Sequence, residues 1–223
     1  MAWSLVQAAG AQAPAAAPRY NVVELSAEAQ REVPNDQLTA TVFIEETQPD
    51  AAKLAASVNR VLGEALKIAR EYPAVKTRSG NQHTMPVYAP RGGVLQGWRA
   101  RAELRLESRD FAAASALIGR LQASMQLGSF VLSVAPETRR AAENELIAEA
   151  VAAFRARAEV AQKALGGRSY KVQRITLGTG GGVLPGPRIM AMQARAADAG
   201  AAPPVEAGAS LISVNASGAV EIE

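Results

Sequence analysis

Cysteine is absent from this 223-residue chain, and histidine occurs once, at His83. Without a thiol the protein forms no disulfide, runs no thiolate chemistry and holds no Cys-ligated metal. A single imidazole supplies at most one member of a hydrolytic triad or of a zinc ligand set. Aromatic residues make up only 4% of the chain, so its core must be built from Ala, Val, Leu and Ile. No apolar run reaches the roughly 18 residues that a membrane-spanning helix needs. Blocks of like charge are missing too: the formal net charge is only +3, and acidic and basic residues alternate along the predicted elements. That pattern is a mixed solvated surface rather than the footprint of a nucleic-acid binder.

What is present is an ordinary globular composition, 48% hydrophobic and 20% charged, in a chain long enough to bury a sizeable core. Residues 1–19 stand apart. They are apolar and rich in Ala and Pro, and Ala11-Gln12-Ala13 has the small-residue form of a signal-peptide cleavage site, although no Lys or Arg precedes Trp3. The expectation is an exported protein whose mature form begins near Pro14, with a tether running into a domain over residues 20–223.

Period-2 and period-3.6 patterns alternate through that domain. Gln37 to Ile44 reads as a half-buried strand with Leu38, Ala40, Val42 and Ile44 on one face. Asp50 has the character of an N-cap, and Leu54, Val58, Val61, Leu62, Ala65, Ala69 and Tyr72 form the stripe of a helix that Pro73 stops. An irregular strand from Ala74 to Tyr88 and a strongly alternating one from Val94 to Glu107 follow. In the latter, Trp98, Ala100, Ala102, Leu104 and Leu106 face the core. Asp110 opens a second helix, with Phe111, Ala114, Ile118, Leu121 and Met125 inward and Gly128 at its end, and Phe130 to Val134 is a strand. Residues 37–134 therefore predict an α+β fold with a ferredoxin-like βαββαβ core. A long helix from Thr138 to Leu165 follows, ended by Gly166 and Gly167. Then come a strand from Tyr170 to Leu177, a Gly/Pro-rich loop over 178–208 and a last strand from Leu211 to Ile222, in a mixed or antiparallel sheet. Val22 to Val33 is a further candidate strand.

None of the candidate sites carries a complete chemical constellation. His83 lies in a strand or loop with no positioned carboxylate beside it in sequence. Gly178 to Gly182 (GTGGG) follows a strand, but Pro185 and Pro187 replace the helix N-terminus and Lys-Ser/Thr that a phosphate loop needs. Glu45, Glu46 and Asp50 cluster at a strand end without a partner across a cleft. Arg99, Arg101 and Arg105 share a strand face with Glu103 and Glu107, and this face shows no aromatic on which a base could stack. No catalytic, cofactor-binding or metal-ligating residue is predicted.

In order along the chain, Leu25 to Ala29 (LSAEA), Pro34 to Asp36 (PND), Pro49 to Leu62, Thr77 with Pro86 and Tyr88, Gly97 to Ala100 (GWRA), Glu149 to Gly166 and Pro204 to Gly208 (PVEAG) are similar to motifs of one family. The chain resembles the SIMPL-domain proteins of bacterial envelopes over about residues 20–223. The family's opening Val-Ser-Gly-x-Gly has alanines here for both glycines, and its Pro-Asp carries an inserted Asn. The resemblance implies an α+β domain in the periplasm, in some members at the outer membrane. It also implies ring- or channel-like homo-oligomers and a link to oxidative-stress tolerance, with no established catalytic residues and no cofactor.

The expectation is thus a non-enzymatic envelope protein that self-assembles, with peripheral membrane association and no nucleic-acid partner. Arg188, Ile189, Met190 and Met192 (RIMAM) are its candidate interface, because apolar residues with little charge to solubilise them mark contacts. The alternative is an enzyme or small-ligand binder with a site between the 79–97 hairpin and the 178–208 loop. A pocket holding His83, Tyr88 and a buried carboxylate would favour it.

Overall fold

The computed structural model describes residues 21–89, 93–182 and 207–223. In chain order the elements are β1 (Val22–Pro34), β2 (Gln37–Gln48), α1 (Ala51–Ala69), β3 (Lys76–Tyr88), β4 (Leu95–Ser108), α2 (Phe111–Leu121), β5 (Gln126–Ser133), α3 (Pro136–Ala164), β6 (Tyr170–Gly182) and β7 (Ala209–Ile222). The strands form two antiparallel sheets. One has the order β3-β4-β2-β5 and is the ferredoxin-like unit; the other has the order β1-β7-β6. The fold is α+β, as the periodicities predict, with two sheets where one was expected.

Local chemistry accounts for the helices of the first unit. Asp50 stays extended and its carboxylate accepts from the N–H groups of Ala52 (2.8 Å) and Lys53 (3.0 Å), starting α1. Asp110 does the same for α2 through Ala113 N–H (2.9 Å). The inward faces of β2 and β4, with Leu38, Val42, Leu104 and Leu106 fully buried, pack against Leu54 and Val58 of α1 and Leu117 and Leu121 of α2. Trp98, expected wholly inward, packs on this core while staying partly exposed near the end of the sheet. Buried Ser108 donates to the Ala74 carbonyl (2.8 Å) and accepts from the Asp110 N–H (3.0 Å), tying the start of β3 to the entry of α2.

The second unit takes its strands from both ends of the chain. β1 pairs with β7 from Val22 opposite Glu221 to Pro34 opposite Ala209, and the whole βαββαβ unit is inserted between β1 and α3. Every fourth residue of α3 (Ala142, Leu146, Ala150, Phe154, Ala158) is buried against Val214, Ala216 and Val220 of β7 and Ala27 of β1. Gly166, with φ +73°, takes the left-handed turn after the helix, as its sequence position predicts.

Two boundaries differ from the sequence reading. α2 ends at Leu121, and Gly128 lies inside β5 rather than capping a helix. Met125 is buried in helical phase with Leu121, which imitates one more turn. A Cβ on Gly128 would come 3.1 Å from the Phe43 ring, so the glycine there serves close strand packing. Likewise β6 continues through Gly178 to Gly182, paired in register with Leu211 to Asn215 of β7. Ladder pairing there overrides the low strand preference of glycine.

Candidate functional site

Three features outside the two cores carry polar chemistry or open surface: the crossing between the units, the uncovered faces of the two sheets, and the sheet edges.

At the crossing, β1 passes into β2 through Asn35 and Asp36. Asn35 is buried and fully engaged: its side-chain amide donates to the Ala207 carbonyl (2.7 Å), its oxygen accepts from the Ser210 hydroxyl (2.7 Å), and its N–H donates to Gly208 (3.1 Å). Asp36 reaches across to the start of α3, whose N-cap, Ala135, has no side chain able to accept. The Asp36 carboxylate takes the Ala135 N–H (2.6 Å) and the Thr138 hydroxyl (2.6 Å), acting as the missing cap from a distant strand. Partial burial pushes this carboxyl's pKa up, but the bonds from Ala135 and Thr138 and the charge of Arg109 outweigh it and hold the group below its ordinary value. Asp36→Ala is therefore expected to cost about 1–3 kcal/mol at neutral pH. A depressed carboxylate stabilises the fold above its unfolded pKa of roughly 4 and loses that contribution as pH falls through the folded value. Urea melts should show the gap between wild type and variant narrowing at acid pH; a gap that does not change with pH would exclude this role. Pro34-Asn35-Asp36 is legible in the sequence only as a turn-forming break between two alternating runs.

The outward face of β4 carries Arg99, Arg101, Glu103, Arg105 and Glu107, as its alternation predicts. Phe43 shares that face, correcting the reading that it holds no aromatic, since the inward Val42 and Ile44 send Phe43 outward. The Arg101 guanidinium lies 3.5 Å from the centre of the Phe43 ring and within 3.0 Å of Glu103 and 3.6 Å of Glu45. Covered in this way, the ring is not a free stacking platform. His83, on β3, is opposite Arg101 and half-buried, with no carboxylate bonded to it among the described residues.

The other predicted positions do not converge. Asp50 caps α1, Glu45 faces Arg99 and Arg101, and Glu46 accepts from Gln48 (3.4 Å). Tyr88 is 55% exposed, and among the described residues no carboxylate is buried and no cluster of three His, Cys, Asp or Glu could hold a metal ion. Arg188, Ile189, Met190 and Met192 lie outside the described residues, as do Ala11-Gln12-Ala13 and most of the 178–208 loop. Among the described residues no helix is long and apolar enough to cross a membrane.

The edges differ in their protection. β1 carries Glu24, Glu28, Arg31 and Glu32, and β3 carries Lys76, Arg78 and Pro86. Such charges and prolines discourage strand pairing with another molecule. β5 (QLGSFVLS) has no charged residue at all, and Leu127 (39%), Phe130 (37%) and Val131 (48%) are open to solvent. β6 has no charge from Ile175 to Gly182, and Val172, Ile175 and Leu177 are exposed. The sequence reading missed both edges because it could not tell which strands are central.

A family model, SIMPL, described as a protein of unknown function (DUF541), matches residues 23–220. No curated protein matches the chain. Among solved structures, an amidase of the hydantoinase/carbamoylase family from Burkholderia vietnamiensis is 13% identical with a TM-score of 0.28, over 48% of this chain and 29% of that one. Its counterpart from Burkholderia multivorans is 14% identical, also with a TM-score of 0.28, over 53% of this chain and 33% of that one. The chain thus spans about a third of the length of these structures, and so slight a likeness carries no argument about activity.

Proposed function

Because this chain belongs to the SIMPL family, matched over residues 23–220, we propose that it is a non-enzymatic, exported protein of the cell envelope that works by assembling with further copies of itself. The observation that carries this reading is the unprotected edge of β5: eight residues without a charge, exposing Leu127, Phe130 and Val131. Proteins that stay monomeric guard such edges with charge, proline or a covering element. The signal-like leader and the envelope resemblance support export to the periplasm. That resemblance also favours a ring- or channel-like assembly serving envelope or oxidative-stress tolerance, with peripheral association to the membrane. The absence of a converged catalytic set among the described residues fits a structural role.

Ser129 and Val131 point away from the helices, opposite Thr41 and Thr39, so lysines at both positions place charge on the edge without entering the core. Ser129→Lys combined with Val131→Lys should lower the solution mass while leaving far-UV circular dichroism unchanged. An unaltered mass would remove β5 from the assembly.

A further inference from the structure

Among the described residues both sheets are covered by helices on one face only, and the two faces left open differ in charge. On the β3-β4-β2-β5 sheet, strand register places Lys76, Arg78, Arg99, Arg101 and Arg105 on the open side, against Glu45, Glu103 and Glu107. Arg99 and Arg101 are held by Glu45, and Arg101 also by Glu103. Arg78 and Arg105 are directly opposite one another on β3 and β4, and neither forms an ion pair with any described residue. Like charges directly opposite across a strand pair are destabilising, so the monomer carries an electrostatic cost here that it does not relieve. The row continues into the hydroxyls of Thr41 on β2 and Ser129 on β5, with no carboxylate in it.

The open face of the β1-β7-β6 sheet has the opposite character. Glu24, Glu28 and Glu32 recur every fourth residue along β1, and even spacing puts all three on the side away from α3. Arg174 of β6 reaches Glu24 (3.2 Å), whereas Glu28 and Glu32 have no cation partner among the described residues. Their neighbours on β7 are Asn215 and Leu211, and the cations of that face among the described residues, Arg174 and Lys171, lie at its other end, beside Glu24 and opposite Glu221.

We propose that these two faces are complementary halves of one contact: the acidic sheet face of one copy seats on the basic sheet face of the next. The proposal rests on the self-assembly reading above and adds which surfaces meet. A second copy is the partner the charges favour, because each chain carries both signs, unpaired, on open sheet faces. Since the two halves are different surfaces, the contact is head-to-tail, which propagates into a ring or an open fibre rather than closing as a two-fold dimer.

The test uses the full 223-residue chain. Arg78→Glu/Arg105→Glu makes the basic face acidic, and Glu28→Arg/Glu32→Arg makes the acidic face basic. Each variant alone should self-associate about tenfold or more weakly than wild type, because like charges then face each other. An equimolar mixture should recover assembly, since every junction again joins opposite signs. The neutral variants Arg78→Gln/Arg105→Gln and Glu28→Gln/Glu32→Gln serve where a reversal disturbs folding, and each should weaken association and its salt dependence. If wild type assembles and the reversed variants assemble equally well, this contact is wrong while the self-assembly reading survives. Loss of assembly in the arginine variant alone, or variants that weaken without recovering on mixing, would also overturn it. A wild type that stays monomeric overturns both.

Discussion

Phe154→Ala is expected to cost about 3–5 kcal/mol, the range for truncating a large buried aromatic. Phe154 is fully buried and is the largest such side chain among the described residues. It sits in the middle of α3, and three of the other four buried α3 residues are alanines: Ala142, Ala150 and Ala158. Alanines have no reach with which to fill a void, so most of the cavity would persist and the cost should fall in the upper part of that range. The loss falls on the unit built from β1, α3, β6 and β7, whose strands come from both ends of the chain and bury their inward face against this helix. Urea melts read by far-UV circular dichroism would report it. A loss under about 1 kcal/mol would mean that α3 is not packed on the sheet through this face.

Gly218→Ala should be the most damaging glycine substitution, at about 3 kcal/mol or more, beyond the usual penalty for one added methyl group. Gly218 is opposite Ile175, next to the irregularity between Val172 and Arg174 where β6 carries an extra residue. A Cβ at 218 would run into the Arg174 carbonyl, 2.9 Å from its carbon and 3.0 Å from the Ile175 Cα. These are backbone atoms in a paired strand and cannot move aside as a flexible side chain would. Gly63, inside α1, provides the control: nothing lies within 4 Å of its would-be Cβ, so Gly63→Ala should be neutral or stabilise by up to about 1 kcal/mol. Thermal melts of the two variants should separate widely, and similar melting points would rule out the tight β6–β7 approach.

Periodicity is a local signal, and what it encodes was legible. The alternation of Leu38 to Ile44 and of Ala100 to Leu106, and the fourfold stripe of α3, fix the facing of those elements wherever their partners lie. Pairing is not local. Nothing in Val22 to Pro34 announces that it joins Ala209 to Ile222, nearly the whole chain away, and so the second sheet was hidden. Glycines in β5 and β6 read as breaks because their pairing, and the close approach of Gly128 to Phe43 and of Gly180 to Ser213, exist only after the strands come together. The outward position of Phe43 was there to be read from the alternation of β2. Asp36 was not, because a cap supplied by another strand leaves no spacing signature. The unprotected edges of β5 and β6 required the strand order, and the predicted contact residues Arg188 to Met192 lie outside the described chain.

Light scattering of the full chain over a wide concentration range tests whether the protein works as an assembly. The expected mass is several times the 23.3 kDa of one chain, falling as the protein is diluted or the β5 edge is charged. A mass of 23.3 kDa at every concentration would contradict it.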